Sequence, residues 1–428
     1  MLQLAARLFL AAALAIAGMI AVIALGRGGF PKEAGAPPDP GRLSQKVGGF
    51  LRADLSVYLG IALAVPVVAL LVQRNVIAGA ALALASLGAL VYILYEAVFR
   101  CRRVERDRLF VTLVLMFFSF VFFTFFEQAG SSITNFTDRN VNRVLPQRRV
   151  TGADAGSTIR LRVPLKTDDP TLADLPLLTQ EQLGYEHDGK VFTMSDLARL
   201  RDEANQEGAT EQQKVLSWTV TQADAGMGIG GAEVPTSEFQ AVNPIYILLF
   251  GLAFSALWGF LDARGWDPGP TVKFALGLFQ LGIGFAMLWY GVQVADGRGM
   301  VAMSWLLLAY LFHTTGELCL SPVGLSMITK LSPGYMVSTL MGAWFLATAI
   351  SQYVGGEIAK LTGVSEKAAG TQVIPAPINT VELYGRVYGW IAIASVATAM
   401  ICFALSPLLG RWTHPEAEFG GEDDESRK

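Results

Sequence analysis

The chain has 428 residues, 52% of them hydrophobic and 16% charged, with a formal net charge of −3. A soluble domain carries about 25% charged residues, so this composition excludes an ordinary soluble protein and points to a membrane protein. The small net charge gives no reason to expect nucleic acid as a partner. The three cysteines (Cys101, Cys319, Cys402) and three histidines (His187, His313, His414) have neither the spacing of a disulfide framework nor that of a metal site.

In chain order, residues 5–26 are continuously apolar and long enough to span a bilayer, which needs about 20 residues. Their apolar core is longer than that of a signal peptide, so a retained helix is expected. Residues 27–54 are rich in Gly, Pro and basic residues and read as a linker, closing a first region of 1–54. Apolar segments at 55–73 and 76–98, joined by Gln73-Arg74-Asn75, read as an antiparallel helix pair. With the arginine-rich loop ending at Arg108 they make up 55–108. An aromatic helix follows at 109–137. Region 241–410 holds five further helices, near 242–262, 271–294, 300–329, 335–359 and 383–409, for nine in all. The acidic tail 411–428 has the composition of a disordered segment.

Loop charge sets the orientation. Arg27 to Arg52, Arg100 to Arg108, Arg264, Lys273, Lys330 and Arg411 fall on one side, against Arg74, Arg298, Lys360 and Lys367 on the other. By the positive-inside rule the first side is cytoplasmic, with the C-terminus, and the 138–240 segment lies outside the cytoplasm. That segment is polar and too long for a plain connection. Ile159, Leu161, Val163 and Leu165 alternate with polar residues or Pro as in a half-buried strand, and Leu216, Trp218 and Val220 do the same. Asp188-Gly189 predicts a hairpin turn, and Ser195 an N-cap for a helix running to about Gln206. An α+β insertion, mostly strands, is expected.

The most informative residue is Glu317, mid-helix and flanked by Thr314, Thr315, Gly316 and Cys319, with Ser321-Pro322 following. A carboxylate at the centre of a spanning helix costs about 2.5–3.5 kcal/mol on insertion scales, which makes it a functional candidate facing the bundle interior. The alternative is a structural acid paired with a basic side chain. Pro322 and the nearby glycines predict a helix that bends or opens beside it. No nucleophile–base pair, phosphate loop or metal constellation is visible, so an enzyme is the least supported class.

The stretch GELCLSPVGLSMITKLSP (316–333) followed by MGAWFLATAI (341–350) resembles the tenth and eleventh helices of the proton-dependent oligopeptide transporters of the major facilitator superfamily. FFEQAGSSITNFTDRNV (125–141), FQAVNPIYILLF (239–250) and the order of all four agree. The resemblance covers the family's later part, from about its sixth helix onward. It implies an all-α multi-pass protein: a major-facilitator C-terminal six-helix bundle, about three preceding helices and the extracytoplasmic insertion. The implied function is proton-coupled symport of di- or tripeptides across the cell (inner) membrane, in an N-terminally truncated form. The proton is the coupling ion and no other cofactor is implied. The partners implied are peptide, lipid bilayer and a separately encoded first half. The family's ExxERFxYY-type proton-coupling run is found nowhere in the chain. A non-transporting membrane protein whose insertion binds a partner, and a transporter of another small solute, therefore stay open.

Residue by residue, the resemblance implies that Glu317 binds the peptide amino group, with Ser321 one turn on lining the pocket. Asn243 would read the peptide backbone or carboxylate, with helix capping as its alternative. Trp344 would form a pocket wall backed by Phe345, or pack in the core instead. Phe123 stands where the family has tryptophan, keeping the aromatic wall without the N–H. Glu127 and Gln128 would serve gating or proton coupling. His313, one turn before Glu317, reads as a hydrogen-bonded structural histidine, with a proton-linked partner as the alternative.

Overall fold

The computed structural model describes residues 46–47, 51–52, 55–56, 58–60, 62–64, 66, 73–166, 169–206, 208–362 and 374–414. The expected helix at 5–26 and the acidic tail beyond 414 lie outside the described residues. The chain divides into two compact units, Met1–Ala78 and Gly79–Lys428. In the first, the expected linker contains a short antiparallel pair, Lys46–Val47 with Leu51–Arg52, and the described positions between 55 and 66 are helical.

Among the described residues, seven helical spans are long and apolar enough to cross a membrane. Helix α1 (Asn75–Phe99) is followed by α2 (Arg103–Phe126), which continues through a 3-10 turn at Glu127–Gly130 into α3 (Ser132–Asn140). After the insertion, with its own helix α4 (Met194–Ala204), come α5 (Val242–Asp262), α6 (Pro270–Gln293), α7 (Met303–Leu331), α8 (Val337–Ala359) and α9 (Pro377–Trp412). The last begins six residues before the expected 383, because Pro377 at its first turn needs no hydrogen-bond donor there.

Apolar side chains face lipid as readily as they face each other, so close helix packing in a membrane depends on small residues that let backbones meet. Helix α6 shows this on two sides. A Cβ on Gly277 would lie 2.8 Å from the Gly316 carbonyl oxygen, and one on Gly316 would lie 2.7 Å from that of Gly277. Toward α9, a Cβ on Gly282 would meet Val396 at 2.7 Å, and one on Gly385 would meet Val292 at 2.6 Å. Helix α7 is continuous from Met303 to Leu331 with Pro322 inside it, so the expected opening near Glu317 does not occur.

The insertion is mixed, with less strand than expected. Its longest strands, β1 (Thr158–Arg162) and β2 (Val215–Thr219), pair antiparallel with Ile159 opposite Trp218 and Leu161 opposite Leu216. Leu161, Val163, Trp218 and Val220 are buried, while Leu165 is exposed. Asp188 and Gly189 take positive φ angles of 51° and 74° between Glu186–His187 and Lys190–Val191, the geometry of a two-residue hairpin turn. Helix α4 is capped by Thr193, which forms a reciprocal box with Asp196; Ser195, the expected cap, instead accepts from the Ile374 N–H at 2.7 Å.

The insertion also contains an internal duplication. Residues 150–159 (VTGADAGSTI) and 220–229 (VTQADAGMGI) form the same turn, with Thr151 N donating to Asp154 at 2.8 Å and Thr221 N to Asp224 at 2.7 Å. The glycines have φ of 87° and 95° at Gly156 and Gly226. The two copies bond each other reciprocally: Gly156 N to Val220 O at 2.8 Å and Gly226 N to Val150 O at 2.9 Å.

Buried charges join the insertion to the bundle. Arg298, between α6 and α7, donates to the Glu181 carbonyl oxygen at 2.6 Å and pairs with Asp296 at 2.7 Å and with the buried Glu181 carboxylate at 3.6 Å. Arg143, itself buried, donates to the Thr137 and Val234 carbonyls and pairs with Asp138 at 3.3 Å. Below these, Asn140 donates to the Gly299 and Pro377 carbonyls at 3.1 and 2.8 Å.

Two outcomes follow. Gly277→Val should destabilise the bundle by about 1–3 kcal/mol through overpacking, seen as a lower midpoint in thermal unfolding in detergent, with Gly277→Ala in between; unchanged midpoints would mean the α6–α7 contact is loose. Arg298→Ala leaves Glu181 buried without its cation, a loss on the order of 3 kcal/mol. Limited trypsinolysis should then release the insertion faster, and adding Glu181→Gln should restore part of the protection.

Candidate functional site

Glu317 is half-buried near the middle of α7, one residue beyond the glycine pressed against α6. Successive helical residues are turned by about 100°, so the contact that clamps Gly316 onto α6 leaves the Glu317 side chain aimed elsewhere. It meets α5. Asn243 Nδ2 donates to Glu317 Oε2 at 3.4 Å, and the buried Thr314 hydroxyl donates to Asn243 Oδ1 at 2.6 Å. The amide is held at both ends, by Thr314 and Glu317, three residues apart on one face of α7.

Asn243 does not cap its helix. The 3-10 segment Thr236–Ala241 runs straight into α5, Ala241 takes the cap position, and Asn243 falls in the first turn with Pro244 after it. Its side chain is thereby freed to reach across to α7.

Glu317 has no ion pair among the described residues. The alternative of a structural acid held by a basic side chain finds no support in this geometry. Ser321, one turn on, has a buried hydroxyl with no hydrogen bond among the described residues. It therefore does not satisfy a backbone carbonyl near Pro322. His313 corrects an expectation: both ring nitrogens lack hydrogen bonds among the described residues. The ring is held by packing, 4.7 Å from Phe285 and 6.4 Å from Phe126, above Gly284.

The remaining candidates divide. Phe123 packs edge-on to Phe122 at 5.4 Å and lies 6.2 Å from Phe126, so an aromatic run leads from Phe123 through Phe126 to His313, one turn before Glu317. Glu127 accepts from Gln352 of α8 at 3.3 Å. Gln128 is fully buried and engaged: it donates to Gly355 O at 2.8 Å and accepts from Ser132 at 2.7 Å, tying α2 to α8. Trp344 is 4% exposed, with its ring in the notch left by Gly324, where a Cβ would lie 2.3 Å from Cη2. It is a core residue wedged between α8 and α7. Phe345 is 60% exposed and lies at the bundle surface, away from that core.

The structure thus brings Glu317, Asn243 and Thr314 into direct contact and sets Gln128 and Trp344 in packing roles. Thr314 as the partner of Asn243, and Gln352 as the partner of Glu127, were not assigned from sequence. The first had a visible signal, its position three residues before Glu317; the second depends on the α2–α8 crossing and had none.

Comparison with known proteins bears on the family and the fold. Residues 209–375 match the POT family model, a range that includes Asn243, Glu317, Ser321 and Trp344 and excludes Phe123, Glu127 and Gln128. The chain is 34% identical over 186 residues to dipeptide and tripeptide permease A of Erwinia pyrifoliae, covering 44% of this chain and 36% of that protein. It is 36% identical over 186 residues to dipeptide and tripeptide permease B of Photorhabdus luminescens, covering 42% of this chain and 36% of that one. The chain therefore spans little more than a third of the length of these relatives. A crystal structure of the peptide transporter POT in complex with alafosfalin superposes with a TM-score of 0.51 at 20% identity, covering 85% of this chain and 54% of that one. Tetrameric PepTSo2 gives 0.50 at 23%, covering 85% and 56%. The chain is accordingly a multi-pass membrane protein whose fold is similar to that of the POT peptide transporters, with the match to the POT family model confined to residues 209–375.

Proposed function

We propose that this chain contributes to proton-coupled uptake of di- or tripeptides across the cell membrane, with Glu317 as the recognition point for the peptide amino group. One observation carries the reading: an intramembrane carboxylate held by a single amide hydrogen bond, with no cation paired to it among the described residues. A half-satisfied carboxylate in a low-dielectric setting favours an incoming ammonium strongly. The names of the permease relatives support peptide as the ligand. Asn243 keeps a second N–H for a peptide carbonyl or carboxylate, and the Ser321 hydroxyl is available one turn away. Phe123 and Trp344 serve as aromatic support. Glu127 is assigned to proton coupling, with Gln128 holding its helix against α8. The open apolar face of α5, where Leu248, Leu249 and Leu252 are exposed, is the surface on which a separately encoded first half would pack.

A second reading rests on the insertion, which carries a cleft of about 860 Å³ bordered by His187, Asp188, Lys190 and Arg199 as well as by Val191, Leu200 and Leu216. His187 is stacked on Trp218 at 4.6 Å beside it. A partner or solute bound there would make the insertion a recognition module of its own.

The test for Glu317 is a cycle of parent and Glu317→Gln against a labelled dipeptide with a free or an acetylated amino terminus. Removing the charge should weaken binding of the free peptide by about 2–5 kcal/mol. The acetylated peptide should bind poorly to the parent and lose little more in the variant. Equal losses for both peptides would make the carboxylate structural.

Orientation is tested separately. We place the insertion outside the cytoplasm, with the C-terminus inside. With Cys101, Cys319 and Cys402 replaced, Lys190→Cys on the exposed hairpin should react with an impermeant maleimide in intact cells. Labelling only after lysis would invert the topology.

A further inference from the structure

Helices α6 and α9 form a groove on the surface of the bundle that the reading above does not use. Its deeper part is an apolar cavity of about 710 Å³, walled by Ala286, Trp289, Trp390 and Ile393. Its lining includes Gly282 and Gly389, where α6 and α9 approach closely: a Cβ on Gly282 would meet Val396 at 2.7 Å, and one on Gly389 would touch Trp289 at 3.1 Å. Directly against it lies a second cavity of about 420 Å³, whose lining includes Gln293, Asp296 and Glu382. The two share Trp289 and Arg386. Together they make one continuous site, apolar at one end and charged at the other, in the size range of ligand cavities, roughly 300–1,000 Å³ for each part.

The charged end has two unused groups. Asp296 is consumed by Arg298 and by the backbone N–H of Arg298 and of Met300. Glu382 and Arg386, one turn apart on the exposed face of α9, have no ion pair or hydrogen bond among the described residues, with each other or with anything else. The same face continues inward through Trp390, Ile393 and Met400, all exposed. The order is carboxylate, guanidinium, indole, then aliphatic. This follows the polarity of a bilayer leaflet from headgroup to acyl chain, with the tryptophans at the boundary where such rings concentrate.

We infer that this groove binds a zwitterionic phospholipid bearing a primary ammonium: phosphate on Arg386, ammonium on Glu382, and one acyl chain along the cavity between α6 and α9. A planar guanidinium matches a phosphate bidentately. A site with one free cation and one free carboxylate complements a headgroup with one charge of each sign better than an anionic lipid, which would set its charge against Glu382. A cavity of about 710 Å³ ending at a charged pair distinguishes this site from the general lipid contact of any exposed helix. The polar end lies at the same end of the bundle as the Arg298–Glu181 junction, so the bound lipid belongs to the leaflet on the insertion's side.

The test is native mass spectrometry of the purified chain in detergent with equimolar phosphatidylethanolamine and phosphatidylglycerol. At least a fivefold excess of the phosphatidylethanolamine adduct is expected for the parent. Arg386→Gln should lower both adducts by a similar factor, and Glu382→Gln should abolish the preference while retaining binding. Ala286→Trp, which fills the apolar part, should remove the adduct; Phe403→Trp, exposed on α9 beyond the groove, should not. Circular dichroism melts of each variant separate lost binding from lost fold. Glycerophosphoethanolamine, the headgroup without chains, should fail to compete. Equal binding of both lipids by the parent, adducts insensitive to all three groove variants in folded protein, or competition by the bare headgroup would each overturn the assignment.

Discussion

The close approach of α6 to its neighbours is the constraint from which the rest of the architecture follows. In a bilayer, burial of apolar surface between helices gains little over contact with lipid, so geometry has to come from fit. Gly277 and Gly316 meet almost backbone to backbone, Gly282 comes close to the α9 backbone at Ala392 and Val396, and Gly385 of α9 leaves room for Val292 of α6. Helix α7 is thereby fixed in rotation about its own axis as well as in position. That rotation turns Glu317 out of the α6–α7 contact and toward α5, and it sets Thr314 on the same face to hold Asn243. The site is a by-product of where glycine allows two helices to touch.

The insertion obeys different physics. It has its own apolar core around Leu161, Leu197 and Trp218, and reaches the bundle through buried ions as well as through apolar contacts of Val141, Val234 and Phe239. Arg143 and Arg298 each satisfy several backbone carbonyls at once, so their directional bonds fix an angle between insertion and bundle that a greasy contact would leave loose. Asn140, just below, ties α3 to both the α6–α7 loop and the start of α9. The base of the insertion is therefore bonded directly to the ends of the helices it stands on.

Most of the membrane helices were legible because a spanning helix announces itself by length and polarity, and Glu317 because a carboxylate there is expensive. The hairpin at Asp188-Gly189 was legible from turn chemistry. What was not legible came from long-range geometry. Ser195 and Thr193 are both acceptable caps, and only Asp196 three residues after Thr193 decides between them. A proline in an apolar helix reads as a break, yet α7 runs on past Pro322, since neighbouring helices support a turn that lacks one donor. Trp344 looked equally suited to pocket and core until Gly324 was seen to leave a notch of its shape. The duplication at 150–159 and 220–229 was present in the letters but separated by 60 residues of unlike sequence, and its meaning lies in hydrogen bonds between the copies.

Glu317 and the α6–α9 groove pose the same question at two depths. In each, charged groups stand in or beside the bilayer without an oppositely charged protein partner among the described residues, while Arg298 and Arg201 pair with buried carboxylates elsewhere. Arg143, Arg298 and Arg201 show that the fold can supply counter-charges where it needs rigidity. An uncompensated charge in a low-dielectric setting is therefore best read as one half of a pair whose other half arrives with a ligand. At Glu317, on the function proposed above, the missing half is a single cation beside Asn243 and Thr314, which fits an ammonium. At Glu382 and Arg386 it is one charge of each sign above an apolar channel, which fits a zwitterion with a tail. In both proposals the ligand's chemistry is the complement of what the protein leaves unsatisfied, and the neighbouring residues, Asn243 and Thr314 in one and an aliphatic channel in the other, decide which kind of molecule can bring it.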